Sequence, residues 1–193
     1  MGGKAWNYVF FSPDSRIQKI LTLIELKSEL NKYYKSNSEI NSNQSIEFIE
    51  FGGGIGQFAE LVIRELSPKS YTLIDLPLVS VLAKYYLNQQ NLSNKPNFIS
   101  SEKELQFSKK SFKVFISSWA ISELKLSKRK QIEEYMAKMD YLFIEMQEYF
   151  DNVDNYEWIR EFLFQNPQFR STWSQSNRAM RSRVYRIHRI IED

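Results

Sequence analysis

The chain has 193 residues, 42% hydrophobic, 15% aromatic and 25% charged, a balance that supports one sizeable core and excludes a wholly disordered chain or a coiled coil. It has no cysteine and a single histidine, His188, which removes disulfides, thiol nucleophiles, iron–sulfur clusters and Cys-ligated zinc, and makes no metal site expected. The net charge of +3 is unevenly spread: seven of the ten arginines lie from Arg160 onward, against only Glu161, Glu192 and Asp193.

Along the chain, the aromatics Trp6, Tyr8, Phe10 and Phe11 precede a helical pattern over Ser15 to Lys35. Ile17, Ile20, Leu21, Ile24, Leu30, Tyr33 and Tyr34 recur there at spacings of three and four, which predicts one apolar helical face. A polar Ser/Asn linker follows over residues 37–44, so residues 1–44 read as an N-terminal helical segment, a lid or a homodimer contact. Residues 45–193 read as the domain that carries the chemistry. No run of about 18 apolar residues spans a membrane, and the opening MGGKAWNYVFF lacks a secretory pattern. A soluble, cytoplasmic protein is expected.

From Ile46 the chain alternates short apolar runs with helical patterns. Strands are predicted at Ile46 to Phe51, Tyr71 to Ile74, Asn97 to Ile99, Phe112 to Ser117 and Tyr141 to Met146. Helices are predicted at Gln57 to Leu66, Leu78 to Gln90, Lys128 to Met139 and Tyr156 to Phe164. This alternation predicts an α/β fold: a Rossmann-like, mostly parallel seven-stranded sheet with helices on both faces. The last two strands, Gln168 to Ser174 and Arg183 to Ile191, have no helical crossover between them and should pair antiparallel, making the C-terminal strand antiparallel.

The strongest motif is IEFIEFGGGIGQF, residues 46–58, where a buried strand runs into Gly52, Gly53, Gly54 and Gly56 before a helix begins. Glycines there permit positive φ and let a ligand lie on backbone amides. A dinucleotide fingerprint would carry a third glycine where Gln57 stands. Glu50, just ahead of the loop, suits a cationic ligand better than a pyrophosphate. Asp75, nineteen residues past Gly56 at the end of the second predicted strand, is placed to accept two ribose hydroxyls, a feature that dinucleotide enzymes share.

On these elements the sequence resembles class I S-adenosylmethionine-dependent methyltransferases. It more narrowly resembles sugar O-methyltransferases, through EFGGGIGQFAELV, YTLIDLPLVSVLAKYYL and FKVFISSWAISEL. The resemblance covers roughly Ser45 to Ile144 and makes residues 45–193 methyltransferase-like. It implies that S-adenosylmethionine is the cofactor, with Glu50 and Gly52 at its methionine end and Gly54 and Gly56 leaving room for it. Asp75 would hold the ribose, Leu76 would lie against the adenine, and Ser101 and Glu102 would meet the adenine amino group. Ser117, Ser118 and Trp119 would line the transfer cleft.

An alcohol is a poor nucleophile, so a general base is expected, and Glu123 is the first candidate. Gln147, Glu148 and Tyr149 are candidates for orienting the acceptor, a small-molecule or glycan hydroxyl. Arg178 and Arg181, in a loop expected to overhang the cleft, would meet an anionic acceptor group. His188 reads as structural. The run Ser117-Ser118-Trp119-Ala120 departs from the motif that clamps a flipped base, so no specific nucleic acid partner is expected. Two alternatives stand beside this reading: a methyltransferase-like fold that binds without catalysis, and an NAD-linked oxidoreductase.

Overall fold

The structure, a computed structural model, describes residues 13–36, 45–108, 110–176 and 182–190. The linker 37–44, the aromatics Trp6, Tyr8, Phe10 and Phe11, and the candidate residues Arg178 and Arg181 lie outside the described residues. Helix α1 (Pro13–Ser36) is followed by β1 (Ile46–Phe51), α2 (Gln57–Leu66), β2 (Ser70–Ile74), α3 (Pro77–Asn88), β3 (Asn97–Ile99), β4 (Phe112–Ser118), α4 (Leu126–Met136) and β5 (Tyr141–Gln147). A small hairpin, β6 (Tyr149–Phe150) with β7 (Val153–Asp154), leads to α5 (Asn155–Gln165), β8 (Phe169–Gln175) and β9 (Ser182–Arg189).

Seven strands form one sheet in the order β3-β2-β1-β4-β5-β9-β8. The pairs from β3 to β5 are parallel, whereas β9 runs antiparallel to both β5 and β8. The expected architecture is therefore the observed one. Each parallel strand ends on the same edge, so the loops after β1, β2, β4 and β5 converge there, the edge at which open α/β sheets bind ligands.

Both faces of the sheet are covered, which is why β1, β4 and β5 read as nearly continuous apolar runs. Phe48, Tyr71, Val114 and Phe143 pack with α1, α2 and Leu87 of α3 on one side. Ile49, Phe115, Leu142 and Ile144 pack with α4 and α5 on the other. Asp154 caps α5 by accepting from the amides of Tyr156 and Glu157, both at 2.9 Å. Among the described residues no helix is long and apolar enough to cross a membrane.

Helix α1 departs from the expected packing. Its buried stripe is Leu23, Leu26, Leu30 and Tyr33, while Ile17, Ile20, Leu21 and Ile24 are exposed. The sequence holds two overlapping apolar stripes at helical spacing, and the helix turns the second inward because Leu26 and Leu30 fit the core formed by α2 and the sheet. Tyr33 then packs on Phe112, Tyr141 and His188 at the far end of the strands. The helix thus shares the core of the sheet.

Candidate functional site

The loop after β1 is built by its glycines. Gly52, Gly54 and Gly56 have φ of +76°, +59° and +85°, a region where side chains other than glycine are strained. Gly52 donates its amide to the carbonyl of Ile74 at 2.8 Å, tying the loop to the end of β2. A Cβ on Gly52 would stand 1.9 Å from that of Ala120, so the turn after β4 seats directly on the loop. Gly56 caps α2, whose first amides face the same space, an arrangement that favours polar and anionic ligand groups.

Asp75 closes the other side. Its carboxylate accepts from the amide of Gly54 at 2.9 Å and from that of Leu76 at 2.7 Å. Burial raises the Asp75 carboxyl above the ordinary aspartate range, and the two amides partly offset this. Leu76, next in the chain, is exposed on that side. Glu50 lies under the loop: a Cβ on Gly53 would come 2.7 Å from its Oε2, and the same oxygen accepts from Tyr71 Oη at 2.9 Å. Burial, followed by the charge of Glu50, drives the Tyr71 phenol well above its usual value, so it stays a donor.

The loops after β4 and β5 form the second wall. Ser117 is fully buried and spends its hydroxyl on the turn, donating to the Phe51 carbonyl and accepting from the Ile121 amide, each at 3.2 Å. Trp119 has φ of +74°, a strained backbone for a tryptophan, and its indole Nε1 is buried without a hydrogen-bond partner. Strain of this kind persists where the surrounding structure holds it, and it clusters at ligand sites. Gln57 Oε1, at the start of α2 beside the glycine loop, is also buried and unpartnered. Two orphaned polar atoms therefore lie on the segments that bound the site.

Glu123 ends a short 3-10 turn, Ala120–Glu123. It is half-buried, no hydrogen bond or ion pair holds it among the described residues, and burial raises its carboxyl above the usual glutamate range. Beside it, Ser122 donates to the Trp119 carbonyl at 2.6 Å and its Oγ lies 3.2 Å from the side-chain amide of Gln147, so the structure brings Gln147 next to the Glu123 turn. Gln147 also accepts, through its carbonyl, from Asn155 Nδ2 at 2.9 Å. Glu148 holds the amide of Asn155 through its own carbonyl, and Tyr149 is exposed at the start of the hairpin.

Two residues that hold this wall were not among the sequence candidates. Arg129 is completely buried; its Nε donates to the Leu124 carbonyl at 2.8 Å and its Nη2 to the Ser122 carbonyl at 2.6 Å. It clamps the turn on both sides of Glu123, with its guanidinium 4.9 Å from the Trp158 ring. Burial lowers it to about 10, still a cation at neutral pH. Glu145, buried in β5, accepts from Ser118 Oγ at 2.6 Å and from Ser176 Oγ, while its carbonyl accepts from the Trp119 amide at 2.8 Å. An acid inside the apolar run YLFIEMQ is the signal that could have found Glu145; Arg129, in the charged segment LSKRKQIEEYM, gave none.

The remaining candidates lie as follows. Ser101 accepts from the Lys103 amide at 3.3 Å and donates its own amide to Glu104 at 3.1 Å, capping the turn Glu102–Glu104 after β3. The side chain of Glu102 is outside those described. His188 sits at the opposite end of β9, paired with the first residue of β5. Arg183 is stacked between Tyr156 and Trp173, 4.0 and 3.9 Å from their ring centres. Among the described residues no group of three or more His, Asp or Glu side chains is placed to hold a metal ion.

No protein-family model matches this sequence, and no curated protein sequence is similar to it. Solved structures do match its fold. Magnesium protoporphyrin IX methyltransferase (ChlM) from Synechocystis PCC 6803, solved with SAH bound, superposes with a TM-score of 0.64 at 12% identity, over 91% of this chain and 84% of that one. The methyltransferase domain of bacterial CtHen1 gives 0.63 at 12% identity, over 89% and 97%. The mitomycin 7-O-methyltransferase MmcR gives 0.55 at 14% identity over 76% of this chain, which spans only 49% of that protein. The fold is that of class I, Rossmann-like S-adenosylmethionine-dependent methyltransferases.

Proposed function

We propose that this protein is an S-adenosylmethionine-dependent O-methyltransferase acting on the hydroxyl of a sugar or glycan precursor. One observation carries the reading. The glycine loop is held open by three left-handed glycines and bonded across to Asp75, at the ligand-binding edge of a sheet whose relatives in fold are methyltransferases. The residues present fit the cofactor. Asp75 would accept the ribose hydroxyls, Leu76 offers an apolar surface for the adenine, and Ser101 and Glu102 are assigned to the adenine amino group. Gly52, Gly54 and Gly56 carry no side chain, so a ligand can approach the loop backbone closely, and Glu50 supports the loop from beneath while adding negative charge where a cationic ligand sits.

S-adenosylmethionine, when bound, supplies an electrophilic methyl group on a sulfonium centre. The protein has to align the acceptor oxygen with that carbon and take up the proton the oxygen loses. Glu123 is assigned the proton: it is half-buried, its carboxyl is raised above the usual glutamate range by desolvation, and it has no competing partner among the described residues. Gln147, Glu148 and Tyr149 orient the acceptor, and Trp119 presents an aromatic face to the cationic centre. Arg178 and Arg181 would meet an anionic group on the acceptor. With one stripe of α1 packed on the sheet, the rest of the N-terminal segment serves as a lid or homodimer contact, and a cytoplasmic location suits a soluble sugar acceptor.

The sugar preference rests on the sequence resemblance; the fold's relatives act on varied acceptors. The experiment is a screen of neutral and acidic sugars and glycan precursors with radiolabelled cofactor. Label transferred to a sugar hydroxyl supports the reading. Tight cofactor binding with no transfer to any alcohol favours the binding-only alternative.

A further inference from the structure

The arginine-rich end of the chain is only partly absorbed by the site above. Arg160 pairs with Glu157, and Arg183 stacks between two aromatic rings. Arg189 donates to the carbonyls of Ala137 and Met139. Arg170 and Arg186 are different, because strand register brings them to one place. Arg170, His188 and Tyr141 form a row across β8, β9 and β5, and Thr172, Arg186 and Phe143 form the next row on the same face. Helix α1 crosses over these rows with Glu29, Lys32 and Tyr33, and between helix and sheet lies a cavity of about 420 Å³.

The lining of this cavity is rich in donors. Tyr141 is 2% exposed, and its hydroxyl is buried without a hydrogen-bond partner. Arg186 Nε is likewise buried and unpartnered, although its Nη2 donates to Glu25 and to Ser174 Oγ. Arg170 donates only to the main-chain carbonyls of Pro167 and Phe169, both at 3.3 Å, and no carboxylate among the described residues pairs with it. Lys32 is held by Glu29 at 2.7 Å. His188 completes the wall. A buried donor left unmade is costly, and a cluster of such donors with an unpaired guanidinium suits an oxyanion.

We propose that this cavity binds a phosphate-type oxyanion, free or as a phosphomonoester. It does so at the opposite end of the sheet from the glycine loop, with Arg170, Arg186 and Tyr141 as its donors. Arg170 supplies the planar pair of donors, Tyr141 and Arg186 Nε supply single ones, and His188 stands beside the bound charge. Glu29 faces the same space and Glu25 pairs with Arg186, and these carboxylates limit the affinity to that of a weak site. The proposal is independent of the methyl-transfer reading, since none of these residues belongs to it.

His188 is the only histidine in the chain, so a single imidazole proton resonance reports on the cavity, and His188→Asn assigns it. In the free protein burial and the charge of Arg170 hold its pKa below the ordinary value, against Glu29. Lys32, Tyr33, Tyr141, Arg186 and Arg189 also face the cavity. A bound anion opposes those cations and raises the imidazole pKa.

The test titrates the full chain with inorganic phosphate, sulfate and phenyl phosphate at ionic strength fixed with chloride. A saturable shift of the resonance, with its titration midpoint moved up, is expected. It should be lost in Arg170→Ala and weakened about fivefold in Tyr141→Phe, the scale of one hydrogen bond. Tighter binding of phenyl phosphate than of phosphate identifies a phosphomonoester as the ligand, and the reverse identifies free phosphate. A response that does not saturate, or that persists unchanged in both variants, overturns the proposal.

Discussion

Asp75 ties the glycine loop to β2 through Gly54, and that bond would be shared with a ribose. Asp75→Ala should therefore weaken S-adenosylhomocysteine binding by about 1.5 to 3 kcal/mol, the scale of a hydrogen bond to a charged group, measured by calorimetry. Because burial raises the Asp75 carboxyl, wild-type affinity should fall as pH drops through that raised value, where the neutral acid accepts less well. Asp75→Asn should bind weakly and lose this pH dependence. Glu123 is proposed for the acceptor side instead. Glu123→Gln should cut turnover about 100-fold and leave cofactor affinity unchanged; a fully active variant would move the proton to another residue.

The glycine turn and Asp75 were legible in the sequence because a left-handed turn requires glycine and the acid stands at the end of the adjoining strand. Glu145 and Arg129 depend on partners brought by the fold, and a buried arginine in a charged helix looks like any solvated one.

At the scale of elements, α1 shows where periodicity stops being informative. Two apolar stripes satisfy the same spacing, and only packing against α2 and the sheet selects Leu23, Leu26, Leu30 and Tyr33. Leu26→Ala should cost about 2 to 5 kcal/mol in urea unfolding, as a fully buried leucine does. Ile24→Ala, at a position 59% exposed, should change stability by no more than about 0.5 kcal/mol. The reverse order would mean that the other stripe faces the core. The turn after β4 is the second element under test. Arg129 holds the Ser122 and Leu124 carbonyls, so Arg129→Met should speed amide hydrogen exchange across Ala120 to Leu124 while β1 and β5 stay protected. Uniform exchange would deny it that positioning role. The strands and the antiparallel end were legible because the alternation of apolar runs with helical patterns stops after α5, leaving two runs with no crossover between them.

For the whole molecule, strand order decides what can act together. The parallel strands place the glycine loop, Asp75, the Glu123 turn and Gln147 along one edge, and the antiparallel β9 carries His188 to the other. The sequence predicted this division without its contacts, since register across β5, β9 and β8 cannot be read from any one segment. The two ends differ in chemistry: an open glycine cradle with carboxylates at one, a donor-lined cavity at the other. Whether the cradle holds S-adenosylmethionine is decided by calorimetric titration of the purified protein with S-adenosylhomocysteine and with NAD, in wild type and in Gly54→Val. The wild type is expected to bind S-adenosylhomocysteine and not NAD, and Gly54→Val, folded by circular dichroism, to bind neither. Binding of NAD alone, or unchanged affinity in Gly54→Val, would contradict it.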